Sequence, residues 1–222
     1  MSSPKKKELI CPNCGARINR WIWDSIDLER HPEASEKLRN GACFKTVCPS
    51  CGRTFIEEYP MACFDNAKGV YVQFVTDNDW ERFLYLDELL NDGLRLCKVY
   101  RSYELTEKVL ALQNGRDDRI VEMCKFWILL QFAIHINDFE LKRLYYSIEG
   151  EKEKIVGVDT KGNMISTDFP EDVYRAFESS FRDVLPGVRA KFDVYDTEWA
   201  DGFLRDHVSL FRRSIETTRG KG

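Results

Sequence analysis

Two short stretches of the chain share one pattern, CPNCG at residues 11–15 and CPSCG at residues 48–52. In each stretch two cysteines are separated by two residues, so both thiolates can bind one tetrahedral metal ion from a single tight turn. The proline restricts φ after the first cysteine, and the glycine after the second accepts a positive φ that lets backbone amides face the sulfurs. Two such knuckles complete a site of four sulfurs. The pattern therefore predicts a zinc ribbon whose metal ligands are Cys11, Cys14, Cys48 and Cys51.

A closed site of four thiolates leaves no coordination position for water, so the predicted Zn²⁺ is structural rather than catalytic. Two alternatives stay open. Iron can occupy the same four-sulfur geometry, and a CxxC motif can act as a redox pair. A redox CxxC usually stands alone before a helix, whereas both motifs here lie between strand-like segments, which favours metal binding.

The remaining half of the eight cysteines lies outside the two knuckles and forms no further CxxC pair. We expect these cysteines to be small, buried, apolar residues. These four are Cys43, Cys63, Cys97 and Cys124. Replacement of a knuckle ligand by Cys43 or Cys63 is an alternative that the pattern does not require.

Length and composition bound the remaining possibilities. The 222 residues fit one large domain or two smaller ones, and 43% apolar residues are enough to bury a core, which excludes general disorder. The net charge of −4 carries no excess of positive charge of the kind that attracts nucleic acid.

The apolar segments predict neither a membrane span nor a signal peptide. The longest, residues 126–136, is too short to cross a bilayer and contains Gln131 and His135. No apolar run follows the basic residues 5–7. We therefore expect a cytoplasmic protein without a membrane partner, in a compartment where thiols stay reduced.

The pattern of apolar residues and turn signals predicts an α+β fold in two packed modules. Residues 1–76 form a zinc-ribbon β module with a short helix inserted between its knuckles, and residues 77–222 form an α+β domain. A short helix is also expected within residues 77–93 and a last strand at 192–195. The helices of the second module are predicted at about 101–114, 117–136, 170–184 and 197–215, and its strands within 143–168.

Segments beyond the cysteines resemble the CpXC family, which is named for its two C-P-x-C motifs. The resemblance covers about residues 8–135 well and the remainder loosely. It implies a bacterial or archaeal protein with a metal-binding ribbon, and it leaves the activity open because the family is functionally uncharacterised. The matching segments are residues 23–26, 32–38, 40–41, 58–60, 115–119 and 169–174.

We interpret the chain as a binding or scaffold module for a protein partner, in which the zinc ribbon stabilises the N-terminal part. One alternative is a ribbon that binds single-stranded nucleic acid, because aromatic side chains can stack on bases and arginines can meet phosphates. Residues 1–60 carry ten basic and eight acidic side chains, which offers little attraction for phosphate. The residues of this candidate face are Arg17, Arg20, Trp21 and Trp23.

A third interpretation is an enzyme that uses Asp117, Asp118 or Glu122 as a carboxylate site in a cleft between the modules. The competing explanation is that these acids cap the helix that follows them. The chain contains no glycine-rich phosphate loop and no nucleophile motif, so we expect no catalytic residue.

Overall fold

The computed structural model describes residues 4–76, 93–135, 140–189 and 191–219. The chain divides into two compact units. The first unit contains Met1–Val109 and Gly187–Asp193, and the second contains Leu110–Pro186 and Val194–Gly222. Helices and separate, mostly antiparallel sheets make the protein α+β, as expected. Residues 77–92 lie outside the described residues. The predicted module boundary after Thr76 adjoins this range, and the short helix predicted within residues 77–93 falls in it.

The first unit contains two small antiparallel hairpins and one larger sheet. Strand β1 pairs with β2, and β4 pairs with β5; each hairpin turn is one of the two knuckles. Helix α1 is inserted between the hairpins, as predicted, and a proline lies in its first turn. The elements are β1 (Pro4–Ile10), β2 (Arg17–Trp23), β3 (Ser25–Asp27), α1 (Pro32–Arg39), β4 (Lys45–Val47), β5 (Thr54–Ile56), β6 (Met61–Asp65), β7 (Val70–Phe74) and β8 (Arg95–Val99).

The larger sheet has the strand order β3-β6-β7-β8. Its outer pairs are parallel and its central pair is antiparallel. Ile26, Cys63, Val72 and Cys97 face one another across the four strands in register, and each is fully buried. This row of small and branched side chains lies in the core of the first unit.

Helix α2 (Ser102–Gln113) begins in the first unit, where acidic side chains satisfy its free amide groups. The Glu58 carboxylate accepts hydrogen bonds from the backbone N–H and the hydroxyl of Ser102. Glu104 accepts the backbone N–H groups of Tyr100 and Arg101. These bonds place two negative charges at the positive end of the helix dipole.

The second unit packs helices around an antiparallel three-stranded meander in the order β11-β10-β9. Its core joins helix residues such as Cys124, Phe177 and Leu204 to strand residues such as Tyr146 and Ile155. The elements are α3 (Asp118–His135), β9 (Leu141–Glu149), β10 (Lys152–Asp159), β11 (Met164–Asp168), α4 (Glu171–Phe181), α5 (Thr197–Asp206) and α6 (Val208–Arg219).

Two expectations about the C-terminal region are wrong. The predicted terminal helix is two helices, because the backbone leaves helical geometry at His207. There the Nδ1–H and backbone N–H of His207 both donate to the Phe203 carbonyl, and the His207 carbonyl begins the next helix by accepting from Phe211. Residues 192–195 form only an isolated parallel bridge between Asp193 and Cys97 rather than a strand.

No helix within the described ranges is long and apolar enough to cross a membrane.

Candidate metal centre

The two knuckles have the same backbone structure. In each, the glycine N–H donates to the carbonyl of the first cysteine, at 3.0 Å for Gly15 and 2.9 Å for Gly52. Their φ angles are 71° and 70°, a left-handed conformation that glycine adopts without steric cost. The first cysteine's own N–H bonds across the hairpin, from Cys11 to Ala16 and from Cys48 to Arg53. The sequence-based role of each glycine in turning the knuckle is therefore observed.

The fold brings the four predicted sulfurs together. The Sγ atoms of Cys11, Cys14, Cys48 and Cys51 all lie within 4.8 Å of one another. Cys11 and Cys51 approach to 3.8 Å, and Cys14 and Cys48 approach to 3.6 Å. A tetrahedron with metal–sulfur bonds of about 2.3 Å has sulfur–sulfur edges of about 3.8 Å. The four sulfurs therefore lie close enough to bind one metal ion, and the donor set is that of a soft or borderline metal.

The cluster is buried on one side and open on the other. Cys11 and Cys48, the first cysteines of the two knuckles, are buried, whereas Cys14 and Cys51 are exposed. The buried pair belongs to a small apolar core with Leu9 and Ile18. A core of this size buries little apolar area, so a bound ion would contribute directly to the folding of this region.

Backbone and thiol neighbours move the pKa values of the exposed pair in opposite directions. The Arg53 N–H and then the Asn13 amide lower the pKa of Cys51 to about 6. The Ala16 N–H lowers the pKa of Cys14, but the neighbouring Cys51 thiol and burial outweigh it and raise the pKa to about 12. The neighbouring thiol thus opposes ionisation of Cys14, and a bound cation would favour its thiolate.

The other four cysteines are buried, as expected. Cys43 donates to the Ala34 carbonyl at 3.8 Å, and Cys63 and Cys97 lie in the core of the larger sheet. Burial raises the pKa of Cys124 well above its usual range. Within the described part of the chain, the four knuckle cysteines form the one group of three or more Cys, His, Asp or Glu side chains close enough together to hold a metal ion.

Only part of the predicted aromatic and basic face is exposed to solvent. Trp21 is 66% exposed, but Trp23 is half-buried and its ring lies 5.1 Å from that of His31. Arg20 is committed to the interior of the unit, because its guanidinium donates to Thr46 and to backbone carbonyls of residues 42 and 43. Arg17 remains exposed, with a 3.2 Å ion pair to Glu8.

The three carboxylates of the enzyme interpretation have structural partners. Asp117 caps helix α3 by accepting the Arg119 N–H at 2.9 Å, and its carboxylate also pairs with the Arg119 guanidinium. Asp118 is buried. Glu122 forms a buried ion pair with Lys125 at 3.0 Å. The competing explanation, helix capping, is therefore observed for Asp117.

The structure contains a polar cluster around Arg116 that the sequence does not predict. The Arg116 guanidinium lies between the rings of Phe169 and Tyr174, at 4.9 and 4.6 Å from their centroids. It pairs with Glu153 and Glu171, the latter at 2.6 Å. The two segments 115–119 and 169–174, identified from the resemblance alone, thus meet in one contact. A single sequence contains no signal that would pair them.

Comparison with known proteins agrees with this geometry. A family model described as CpXC protein matches residues 9–125, more than half of the chain, and the chain belongs to the CpXC family. The match begins two residues before the first knuckle and includes all four cysteines of the cluster. Neither the curated proteins nor the solved structures contain a significant match to the chain.

Proposed function

We propose that this CpXC protein is a zinc-binding scaffold whose Cys₄ site staples two hairpins that present a surface to a protein partner. The observation that carries the metal assignment is that the sulfurs of Cys11, Cys14, Cys48 and Cys51 all lie within 4.8 Å of one another. Because all four positions are filled by protein sulfur, the Zn²⁺ is structural and supplies folding energy rather than a reactive water.

The sulfur arrangement favours zinc over the two alternatives. The close contacts at 3.6 and 3.8 Å each join one knuckle to the other, whereas a redox pair would join the two cysteines of one motif. Zn²⁺ has no redox chemistry and accepts tetrahedral thiolate sites readily, which suits a closed structural site better than iron. Free thiols are also stable in a reducing compartment, so we propose a cytoplasmic location. The family resemblance implies a bacterial or archaeal cell.

Metal analysis of the full chain tests this assignment. We expect one zinc per chain, and we expect Cys48→Ser to lose the metal together with cooperative melting of the ribbon. Cys43→Ala is the matched control, because Cys43 is equally buried but lies outside the cluster. Unchanged metal content and melting in Cys48→Ser, or iron in place of zinc, would contradict the proposal.

The proposed partner surface lies on the outer faces of the hairpins. The most exposed large apolar side chains of the ribbon are Ile10, Trp21, Val47 and Ile56, at 55–66% exposure. Val47 pairs with Thr54 and Ile56 with Lys45, so Val47 and Ile56 are diagonal neighbours on one face. Exposed apolar side chains on a metal-rigidified hairpin can bury area against a protein at little conformational cost.

Affinity purification from the native host, repeated with surface variants, tests the partner proposal. We expect a protein that the unsubstituted chain retains to be lost from Ile56→Asp. Thr54→Asp is the matched control, since it places the same charge on the same face without removing apolar area. Equal retention by both variants would exclude this face as the docking surface.

One observation favours binding of single-stranded nucleic acid as a second candidate. Trp21 is exposed and faces Lys6 across the first hairpin, which is the pairing of a stacking ring with a cation that such surfaces use. Fluorescence anisotropy with a labelled oligonucleotide at low salt is the test. Binding that weakens with salt and is lost in Trp21→Ala would favour this candidate over the protein partner.

A further inference from the structure

Two side chains join the knuckles beside the exposed part of the cluster. An Arg53 Nη1–H donates to Asn13 Oδ1 at 2.8 Å, and Asn13 Nδ2 lies 3.6 Å from Cys51 Sγ. Asn13 lies between the cysteine ligands of the first knuckle, and Arg53 follows the glycine of the second. We refer to Asn13 and Arg53 together as the Asn13–Arg53 latch.

The chemistry of the two groups determines which way the amide points. A guanidinium has donors and no acceptor, so it can bond only to the oxygen of the Asn13 amide. The NH₂ group is thereby directed at Cys51, where it can donate to the sulfur. Arg53 thus orients Asn13, and Asn13 contacts a ligand that belongs to the opposite knuckle.

The open side of the cluster is where metal exchange has to begin. Cys11 and Cys48 are buried, so an incoming chelator can reach the ion only past Cys14 and Cys51. Release therefore starts with the dissociation of one of these two sulfurs and its replacement by a donor atom of the chelator. A group that holds Cys51 in place slows the route that begins with the dissociation of Cys51.

We propose that Asn13 and Arg53 are positioning residues that hold Cys51 on the metal and slow metal release from the exposed side. This inference rests on the proposed zinc site. Four thiolates and a dication carry a charge of about −2. The amide donor shares the charge on one sulfur, and the Arg53 cation offsets the charge of the whole site. Loss of such supporting bonds typically weakens metal binding by about 10–100-fold.

The rate of zinc transfer to a chromophoric chelator, measured on the full chain, tests the latch. Asn13→Asp is the decisive variant, because it keeps the side-chain size and the acceptor for Arg53 but removes the N–H donor beside the sulfur. We expect it to release zinc at least about tenfold faster. Arg53→Gln should also accelerate release, but by less, since it removes the cation and keeps the Asn13 amide as a donor.

Two measurements separate positioning from a general loss of structure. Ser50→Ala is the matched control, because Ser50 occupies the equivalent exposed position in the second knuckle, and it should release zinc at the unsubstituted rate. Cobalt-loaded Asn13→Asp and Arg53→Gln should keep the absorption of tetrahedral cobalt thiolate. In these two variants Cys51 should react faster with a thiol reagent than it does in the unsubstituted chain.

Zinc release from Asn13→Asp at the unsubstituted rate would overturn the latch and leave the zinc site intact. Failure of the unsubstituted chain to bind metal would overturn both proposals.

Discussion

Arg116 lies at the centre of the polar cluster in the second unit. It combines two aromatic faces with two carboxylates, and its own side chain is only 15% exposed. The hydrogen bonds that Arg116 donates to Glu153 raise the pKa of the guanidinium further above its already high value, so the charge is permanent. A planar guanidinium can stack on aromatic rings and form paired hydrogen bonds at the same time, whereas the ammonium group of lysine cannot. The polar cluster of the second unit therefore depends on arginine specifically.

Substitution of this one residue should destabilise the second unit. We expect Arg116→Lys to lower the free energy of unfolding by about 2 kcal/mol, because the charge is kept while stacking and the forked hydrogen bonds are lost. Urea denaturation followed by circular dichroism is the measurement. Arg175→Lys is the matched control, since Arg175 pairs with the same Glu171 but is 73% exposed, and it should change stability by less than about 0.5 kcal/mol. Equal effects of the two substitutions would contradict this role for Arg116.

The residues of the metal site could be identified from the sequence because their pattern is local and repeated. Each CPxCG stretch specifies its own turn, so ligand identity follows from spacing. Asn13 could not be identified in the same way, since its contacts with Cys51 and Arg53 join positions about 40 residues apart. The contacts of Arg20 are equally non-local. Its charge favours a surface role in the sequence, but its guanidinium donates to the backbone carbonyls of residues 42 and 43, which follow helix α1.

At the scale of single elements, Glu58 shows how a loop residue begins a distant helix. The carboxylate satisfies both the backbone N–H and the hydroxyl of Ser102, the first residue of α2. This contact gives a physical reason for the segment 58–60 that the family resemblance picked out. Its neighbour Tyr59 is buried and donates its hydroxyl to the Cys43 carbonyl at 3.0 Å.

Removing the charge at the start of α2 should weaken that helix. We expect Glu58→Gln to lower the stability of the first unit by about 1 kcal/mol, because a charged acceptor at the positive end of the helix dipole is replaced by a neutral one. Thermal unfolding is the measurement. Glu57→Gln is the matched control, since Glu57 has only a long 3.7 Å pair with Lys7 and should be nearly neutral. A larger effect at Glu57 than at Glu58 would argue against the capping role.

Elements were predicted correctly where their pattern was regular and missed where it was not. Strands β1, β2, β4 and β5 are the strand-like segments that the sequence places on either side of the two knuckles. Strand β6 follows a proline and is buried on nearly all sides, so its side chains show no alternation. Strand β3 has three residues, too few for a pattern. The break at His207 was hidden because apolar residues keep their helical spacing across it.

At the scale of the whole molecule, the metal ribbon and the second unit differ in what stabilises them. Among the described residues, the apolar cluster around the ribbon cysteines is small, whereas the second unit has an extensive aromatic and aliphatic core. Metal binding would therefore supply folding energy to the ribbon, whereas hydrophobic burial stabilises the second unit. The ribbon and the second unit should respond to different perturbations.

Metal removal should affect one unit selectively. After treatment with a chelator, we expect backbone amides of β1, β2, β4 and β5 to lose protection in hydrogen-exchange mass spectrometry, while β9–β11 keep theirs. Cys48→Ser without chelator should reproduce the same map, which serves as a control for effects of the chelator itself. Full protection of the hairpins in protein shown to be metal-free would contradict a structural role for the ion.

Acid should affect the second unit through Glu153. Burial acts to raise the pKa of this carboxyl, but hydrogen bonds from Arg116 and Tyr146 outweigh it and hold the pKa below its ordinary value of 4.5. A lowered folded-state pKa stabilises the protein above the unfolded value, and this contribution is lost as the pH falls through the folded value. Glu153 therefore contributes fully above about pH 4.5 and progressively less below it.

The corresponding measurement is unfolding of Glu153→Gln against the unsubstituted chain over a pH series. We expect the stability difference to be largest near neutral pH and to shrink below about pH 4.5. Glu149→Gln is the control, because Glu149 forms an exposed pair with Lys154 and should give a small difference throughout. A stability difference for Glu153→Gln that grows on acidification would have the wrong sign for this mechanism.

The path of the chain between the two units bears on how the protein is made. The first unit is incomplete until residues 187–193 arrive, since Asp193 exchanges backbone hydrogen bonds with β8 and Phe192 lies against Tyr71. On the ribosome, residues 110–186 of the other unit emerge before that last piece does. The ribbon can close on its metal early, but the unit that carries it finishes late. A gene truncated after residue 109 would therefore encode both knuckles and still lack part of the unit that carries them.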